Sequence, residues 1–145
     1  MHNPLKQIVN ESQNPLGLRD VLFMEMAGPD RSILAHTLEA AGFQPIRKHR
    51  SKKITLYILD KFYVMLHETS APLNISLGFA VEDVDSALQA AAEMSVNNAI
   101  EIHASGPVGP MGLHIPAVRF AGQGYFYIVD ATTRDRFFAL DFVQL

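Results

Sequence analysis

A strand followed by a helix occurs twice in this chain, and this repeat constrains the possible folds more than any other feature. In the first copy, residues 20–27 alternate as a strand does, and Asp30 is the expected N-cap of the helix that follows. In the second copy, residues 74–81 precede a helix expected to begin after Asp83, which lies 53 positions beyond Asp30. The order of elements therefore predicts two similar modules that share one sheet.

Short apolar runs separated by charged or glycine-rich turns predict the remaining strands. Gly42 is expected to end the first helix. The expected strands after the two helices are 45–50, 54–59 and 62–68 in the first half and near 117–121, 125–130 and 137–143 in the second. A loop over 106–112, rich in glycine and proline, precedes the last three strands.

The expected fold class is α+β, with two β-α-β-β-β modules forming a curved mixed sheet around a cavity. The modules are expected at about 19–68 and 74–145, after a polar leader at 1–14. With 145 residues and 48% hydrophobic content, the chain is long enough to bury one core.

Charge and hydropathy exclude several classes of partner. A formal net charge of −3 gives no basic footprint for nucleic acid, and the one dense basic run, 47–53, is expected to be a solvated edge strand or a small anion patch. The sequence contains neither a long apolar run typical of a membrane span nor a signal peptide, so a cytoplasmic protein without membrane contact is expected. The absence of cysteine limits any metal ligands to His, Asp, Glu or Tyr.

Glu25 is the most informative acidic residue, because it lies mid-strand among apolar neighbours and shares a strand face with Phe23. A buried carboxylate requires a partner. An edge position, a buried hydrogen bond to a Tyr or Arg side chain, and a role as metal ligand or base are all open.

Histidine spacing suggests one further metal-binding pair. Glu101 and His103 lie two apart on one strand face, which suits two-ligand metal binding, whereas His67 and Glu68 are adjacent and point to opposite faces. His49 is expected to face solvent, as is His36, and His114 is expected to be structural.

Tyr125 and Tyr127 share a strand face, where they either pack in the core or form a stacking wall for an aromatic ligand. Neither a Gly-x-Ser-x-Gly elbow nor a His-Glu-x-x-His pair occurs in the sequence, so hydrolase and metalloprotease mechanisms have no support.

Several short motifs, in order and correctly spaced, resemble the N-terminal domain of 4-hydroxyphenylpyruvate dioxygenase, in the vicinal-oxygen-chelate (glyoxalase/bleomycin resistance/dioxygenase) superfamily. The resemblance covers nearly all of the chain. The motifs are Asn-Pro-Leu-Gly-Leu at 14–18, His-Arg-Ser-Lys at 49–52, Phe-Ala-Val-Glu-Asp at 79–83, Gly-Pro-Met-Gly-Leu-His-Ile-Pro-Ala at 109–117, Tyr-Ile-Val-Asp at 127–130 and Leu-Asp-Phe-Val at 140–143.

The resemblance implies that iron(II) is held elsewhere in the family, in a C-terminal catalytic domain. The family's metal-bearing modules use a histidine on the first strand, a histidine on the fifth and a glutamate on the eighth; by motif position these fall on Phe23, Ser76 and Tyr127. In particular, Ser76 occupies the histidine position of the superfamily motif His-x-Ala-Phe-x-Val-x-Asp. The resemblance therefore implies no iron site and no cofactor in this chain.

Three interpretations follow. The favoured one is a non-catalytic scaffold that pairs with a C-terminal catalytic domain or with a second copy of itself; the full-length family converts 4-hydroxyphenylpyruvate to homogentisate in tyrosine catabolism. The first alternative is a stand-alone metal enzyme with rewired ligands, drawn from Glu25, His67, Glu101 and His103. The second is a metal-free binding protein for a small aromatic molecule. Residues expected to line the cavity are Phe23, Glu25, Ser76, Phe79, Tyr125 and Tyr127.

Overall fold

The computed structural model describes residues 14, 16–95, 100–103, 115–120 and 125–145, with the backbone alone at 95, 100–103, 120 and 131. These residues form nine strands and three helices. The strands are β1 (Leu18–Gly28), β2 (Gln44–His49), β3 (Ile54–Leu59), β4 (Phe62–Glu68), β5 (Asn74–Val81), β6 (Ile100–His103), β7 (Ala117–Phe120), β8 (Tyr125–Val129) and β9 (Phe142–Gln144); the helices are α1 (Arg31–Ala40), α2 (Val84–Ser95) and α3 (Ala131–Leu140).

The nine strands form one mixed sheet in the order β6-β7-β8-β5-β1-β4-β3-β2-β9. The first strand of each half pairs in parallel with the fourth, β1 with β4 and β5 with β8, and an antiparallel pairing of β1 with β5 joins the halves. This curved, open α+β sheet confirms the predicted fold class and the repeat of strand and helix. The α3–β9 segment follows the second set of four strands.

Strand alternation gives the sheet two different faces. The outer face packs against α1 and α2 in two apolar clusters, centred on Leu38 and on Ala87. The inner face packs against α3, in a cluster that contains Phe23, Met65 and Tyr127. In the part of the chain that the structure describes, no helix is long and apolar enough to cross a membrane.

The strand predicted at 137–143 is wrong. Residues 131–140 form α3, and only the short strand β9 follows. Asp130 caps the helix, its Oδ1 accepting from the Thr133 N–H at 2.7 Å. Phe137 and Phe138 are adjacent apolar residues that could belong to either element, and both become buried against the inner face of the sheet.

The predicted edge position of the basic run is also wrong. β2 lies between β3 and β9, so it is internal to the sheet. Arg47 Nη1 donates to the Phe138 carbonyl at 3.1 Å and Arg50 Nε donates to the Leu140 carbonyl at 2.7 Å. These two side chains bind carbonyls at the C-terminal end of α3, which the helix itself leaves without N–H partners.

His49 is buried, with 4% of its surface exposed, which contradicts the prediction that it faces solvent. Its ring packs against Phe137 and Phe142, and its Nδ1 accepts from the N–H groups of Ser51 and Lys52. The sequence near His49 does not reveal this burial, because α3 and β9, about ninety positions away, supply the covering rings.

Candidate functional site

The three positions that the resemblance assigns to iron ligands lie together on the inner face. Phe23 of β1 is paired with Gly78 of β5, and Gly78 is paired with Tyr127 of β8. The ring centroids of Phe23 and Tyr127 are 5.8 Å apart. Ser76 lies two residues before Gly78 on the same strand face. These are the positions that the resemblance aligns with the family's ligands, and they are neighbours on one face of the sheet.

Glu25 connects this group through hydrogen bonds. Its Oε1 accepts from the Tyr127 hydroxyl at 2.8 Å, and its Oε2 lies 3.4 Å from His67 Nδ1, at the outer limit of a hydrogen bond. Ser76 Oγ accepts from the Tyr125 N–H at 3.0 Å. Glu25 is 6% exposed and Ser76 is 3% exposed. A buried carboxylate was expected to need a partner, and Tyr127 is that partner for Glu25. These residues are called the inner polar cluster: Glu25, His67, Ser76 and Tyr127.

Burial raises the pKa of Tyr127 far above its ordinary value, and the carboxylate of Glu25 raises that pKa further. A weaker opposing contribution comes from a hydrogen bond with Ser76. The phenol therefore remains protonated at neutral pH and donates to Glu25. It supplies neither a phenolate ligand for a metal nor a base for proton abstraction.

The residues at the three ligand positions do not fit iron(II). Phe23 has no donor atom, the Ser76 hydroxyl is engaged with the backbone, and the Tyr127 hydroxyl donates to a carboxylate. Iron(II) in oxygenases is typically held by two histidines and one carboxylate. Among the residues whose side chains the structure describes, no group of three or more His, Asp or Glu side chains could hold a metal ion.

Aromatic side chains fill the inner face beside the inner polar cluster. Phe138 packs against Phe23 with ring centroids 6.0 Å apart, and Tyr127 stacks on Tyr125 at the same distance. Phe23 and Phe137 are fully buried. At these positions α3 occupies the space in which the sequence predicted a cavity.

Phe79 does not line the inner face, which corrects its assignment to the cavity. Ser76 and Gly78 point inward, so Phe79 points outward, where its ring contacts Phe126 with centroids 5.1 Å apart. Glu101 and His103 lie on β6 opposite Arg119 and Ala117, but their side chains fall outside the described part of the structure. The loop over 106–112, His114 and most of the leader also fall outside it.

Sequence reasoning missed two contributors to the inner face. Gly78 is one: a Cβ at this position would overlap the ring of Phe23. The sequence carried an indication of this close contact, because Gly78 stands where the superfamily motif has alanine. Phe138 is the other, and no sequence signal placed it over Phe23.

Comparisons with known proteins agree with this geometry. Residues 12–143 match the family model described as hydroxyphenylpyruvate dioxygenase, HPPD, N-terminal. A 4-hydroxyphenylpyruvate dioxygenase from Pseudomonas sp. (strain P.J. 874) is 30% identical over 129 residues, which is 81% of this chain and 35% of that protein. The chain thus spans about a third of the length of this curated relative.

Solved structures show the same fold at lower identity. A xylose isomerase-like TIM barrel/4-hydroxyphenylpyruvate dioxygenase fusion protein matches with a TM-score of 0.68 and 23% identity, over 88% of this chain and 21% of that one. A glyoxalase/bleomycin resistance protein/dioxygenase superfamily member from Vibrio splendidus 12B01 matches with a TM-score of 0.55 and 16% identity, over 77% and 97% of the two chains. By its sequence match from 12 to 143, this chain belongs to the family of hydroxyphenylpyruvate dioxygenase N-terminal domains.

Proposed function

We propose that this chain is the metal-free structural domain of a 4-hydroxyphenylpyruvate dioxygenase and has no turnover of its own. The observation that carries the proposal is the occupation of the three ligand positions by Phe23, Ser76 and Tyr127, in a packed and hydrogen-bonded arrangement. A site of this kind stabilises a fold and offers no open coordination position to a metal or to oxygen.

The proposed partner is an iron-binding domain, either in the same polypeptide or in a separate chain. Support comes from the curated relative, of whose length this chain covers 35%. The paired unit would convert 4-hydroxyphenylpyruvate in tyrosine catabolism in the cytoplasm, with iron(II) and all reacting groups supplied by the partner. A second copy of this chain is the alternative partner and would give a homodimer.

Elemental analysis of the purified chain tests the proposal. The chain is first incubated with iron(II), zinc or manganese, and excess metal is then removed. We expect no stoichiometric metal in the wild-type chain. The informative variants are Glu25→Gln on the inner face and, as a matched control, Glu68→Gln at the end of the same pair of strands. Stoichiometric metal that Glu25→Gln abolishes and Glu68→Gln leaves intact would overturn the proposal in favour of a rewired metal enzyme.

Oxygen uptake with 4-hydroxyphenylpyruvate provides a second test. We expect none from this chain alone, and uptake when it is co-expressed with the C-terminal domain of a relative. Binding of 4-hydroxyphenylpyruvate to the chain alone, seen as a raised melting temperature, would instead support a small-molecule binding protein. Light scattering on the purified chain distinguishes a monomer from a homodimer.

A further inference from the structure

A pocket opens at one end of the inner face, near the start of α3. Its volume is about 430 Å³, and it is lined by residues 20–22 of β1, by residues 59–62 around the turn between β3 and β4, and by Arg134 of α3. Sites for small molecules commonly have volumes of about 300 to 1,000 Å³. We call this pocket the Arg134 pocket. Its lining does not include the inner polar cluster, so it is a separate place in the fold.

Two local departures from regular strand geometry shape the Arg134 pocket. In β1, Leu22 is an extra residue relative to β5, which makes a β-bulge between Val21 and Phe23. A bulge redirects the side chains of its strand, and Leu22 packs against the same inner cluster as Phe23. On the opposite side, the two-residue turn between β3 and β4 holds Asp60 at a φ of +54°, which aspartate tolerates better than most residues. Both walls are thus set by the backbone.

Arg134 presents a firmly held guanidinium to the pocket. The group lies 5.2 Å from the centroid of the Tyr63 ring, and its Nε and Nη2 donate to Asp135 Oδ1 at 2.9 and 2.8 Å. The Arg134 side chain is 16% exposed. No described residue accepts a hydrogen bond from Nη1, which can therefore donate to a ligand. A guanidinium already fixed in place loses little conformational freedom when it binds a carboxylate.

The charged groups around the pocket balance one another. Lys61 adds a second cation to Arg134, and Asp20 and Asp60 supply two carboxylates at the exposed rim. A ligand with a single charge would meet two groups of its own sign as well as two of the opposite sign. A ligand that carries both a carboxylate and an ammonium group can place each beside an opposite charge. The pocket therefore favours a zwitterion.

Apolar side chains form the rest of the lining: Val21, Leu22, Leu59 and Phe62. Val21 is 38% exposed and Leu59 is 41% exposed, so their surface is accessible to a bound molecule. We propose that the Arg134 pocket binds an α-amino acid with a large apolar side chain. The carboxylate of the ligand lies at Arg134, and its ammonium group lies at the carboxylates of Asp20 and Asp60. This inference does not depend on the proposed function.

Heteronuclear NMR titration of the full chain tests the proposal with three probes. L-phenylalanine carries both charges, 3-phenylpropanoate lacks the ammonium group, and phenethylamine lacks the carboxylate. We expect L-phenylalanine to cause saturable shifts of the backbone N–H signals of 20–22 and 59–62, and to bind at least about tenfold more tightly than either analogue. Absence of saturable shifts at these residues would overturn the proposal, as would equal affinity for L-phenylalanine and either analogue.

Substitution of Arg134 tests the carboxylate contact. Arg134→Gln removes the charge, and we expect it to weaken the binding of L-phenylalanine about tenfold. Arg136→Gln, at an exposed position of the same helix, is the matched control and should leave the affinity unchanged. Equal affinities in the two variants would overturn the assignment of Arg134.

Substitution of Asp60 tests the ammonium contact without disturbing the turn, because asparagine also tolerates a positive φ. We expect Asp60→Asn to weaken the binding of L-phenylalanine by about threefold to tenfold, and to strengthen the binding of 3-phenylpropanoate, which no longer meets this negative charge. Asp85→Asn, at an exposed position of α2, should change neither affinity. If Asp60→Asn weakened both probes equally, the ammonium contact would be refuted.

Discussion

Glu25 is a carboxylate on a face otherwise formed largely by aromatic and aliphatic side chains. Burial of an ionised group costs several kcal/mol unless hydrogen bonds and charges compensate it. Here Tyr127 supplies a hydrogen bond and His67 lies within 3.4 Å. Glu25 and Tyr127 thus depend on one another, and the energetic consequences of their substitution should not be additive.

The stability losses from removing the two partners of the Glu25–Tyr127 hydrogen bond should not be additive. We expect Glu25→Leu to lower the free energy of unfolding by about 1–3 kcal/mol, because the Tyr127 hydroxyl loses its acceptor, and Tyr127→Phe to lower it by a similar amount. The double variant should lose clearly less than the two single losses combined. Urea denaturation measures all four proteins, with Glu93→Leu on the exposed face of α2 as the control; strictly additive losses would contradict the coupling.

Gly78 and Phe23 form a second dependent pair, because a Cβ at 78 would overlap the Phe23 ring. Phe23 is fully buried, so a shift of its ring would disturb the side chains packed around it. Gly78→Ala should therefore cost about 1–3 kcal/mol of unfolding free energy through overpacking. In a Phe23→Leu background, the same substitution should cost much less. Thermal unfolding of the four proteins checks this, and an equal cost in both backgrounds would show that the overlap is relieved elsewhere.

At the scale of elements, α3 and the turn after β2 stabilise each other. Arg47 and Arg50 bind carbonyls at the end of α3, the Arg50 N–H donates to the Asp141 carbonyl, and the ring of His49 packs against Phe137. The basic run is thus a set of structural contacts to the helix that covers the inner face.

Substitution of Arg50 should weaken the end of α3. Arg50→Met removes the hydrogen bond from Nε to the Leu140 carbonyl, and we expect a loss of about 0.5–1.5 kcal/mol in the free energy of unfolding. Lys48→Met, which removes a charge from an exposed position of β2 two residues earlier, is the control. Hydrogen exchange of the last turn of α3 should quicken in Arg50→Met alone; equal exchange in both variants would contradict this role.

His49 should make stability depend on pH. Burial lowers the pKa of its imidazole below the ordinary value of 6.5, although Asp141 opposes this shift. The unfolded chain then binds a proton more readily than the folded one, so the contribution to stability is complete above pH 6.5 and is lost as the pH falls below it. The loss for one group is at most about 1.4 kcal/mol per pH unit.

The variant His49→Asn isolates this effect, because an asparagine carbonyl can accept from the same turn without titrating. Unfolding free energies at pH 7.5 and at pH 5.5, about one unit either side of the ordinary histidine value, should differ less in the variant than in the wild-type chain. An identical difference in both proteins would assign the pH dependence to other groups.

At the scale of the whole molecule, one pairing holds the two halves of the sheet together. β1 pairs with β5 from Leu18 opposite Val81 to Ala27 opposite Asn74. The apolar cluster on the inner face contains side chains from both halves. Neither half can bury its inner face alone. The domain should therefore fold as one cooperative unit.

Division of the chain in the exposed loop at 70–72 tests this cooperativity. We expect the fragments 1–70 and 71–145 to lack a cooperative unfolding transition when separate. When mixed, they should form a complex with one transition, because association restores the pairing of β1 with β5. Circular dichroism during thermal unfolding measures this; a transition in either fragment alone would show that a half is an independent unit.

Alternation and spacing were enough to predict the fold class, because strand period and module repetition are local properties of a sequence, whereas the grouping of Phe23, Ser76 and Tyr127 came from the family resemblance. The outward direction of Phe79 was also readable, since it lies three residues from Ser76. The sequence predictions failed where contacts with distant parts of the chain determine the local structure. Phe137 and Phe138 were assigned to a strand although Asp130 and Thr133 form a helix cap, and His49 is buried by rings that sequence alone does not place beside it.

The pairs on the inner face also restrict how such a domain can evolve. Phe23 is fitted to Gly78, Ser76 holds the Tyr125 N–H, and Tyr127 satisfies Glu25. A single mutation to the corresponding iron ligand would open a void, remove an acceptor or place two carboxylates side by side. Each intermediate would be less stable than its starting point while still unable to hold the metal. Stepwise substitution of Phe23, Ser76 and Tyr127 by the ligands of the superfamily motif would therefore cost stability at every step.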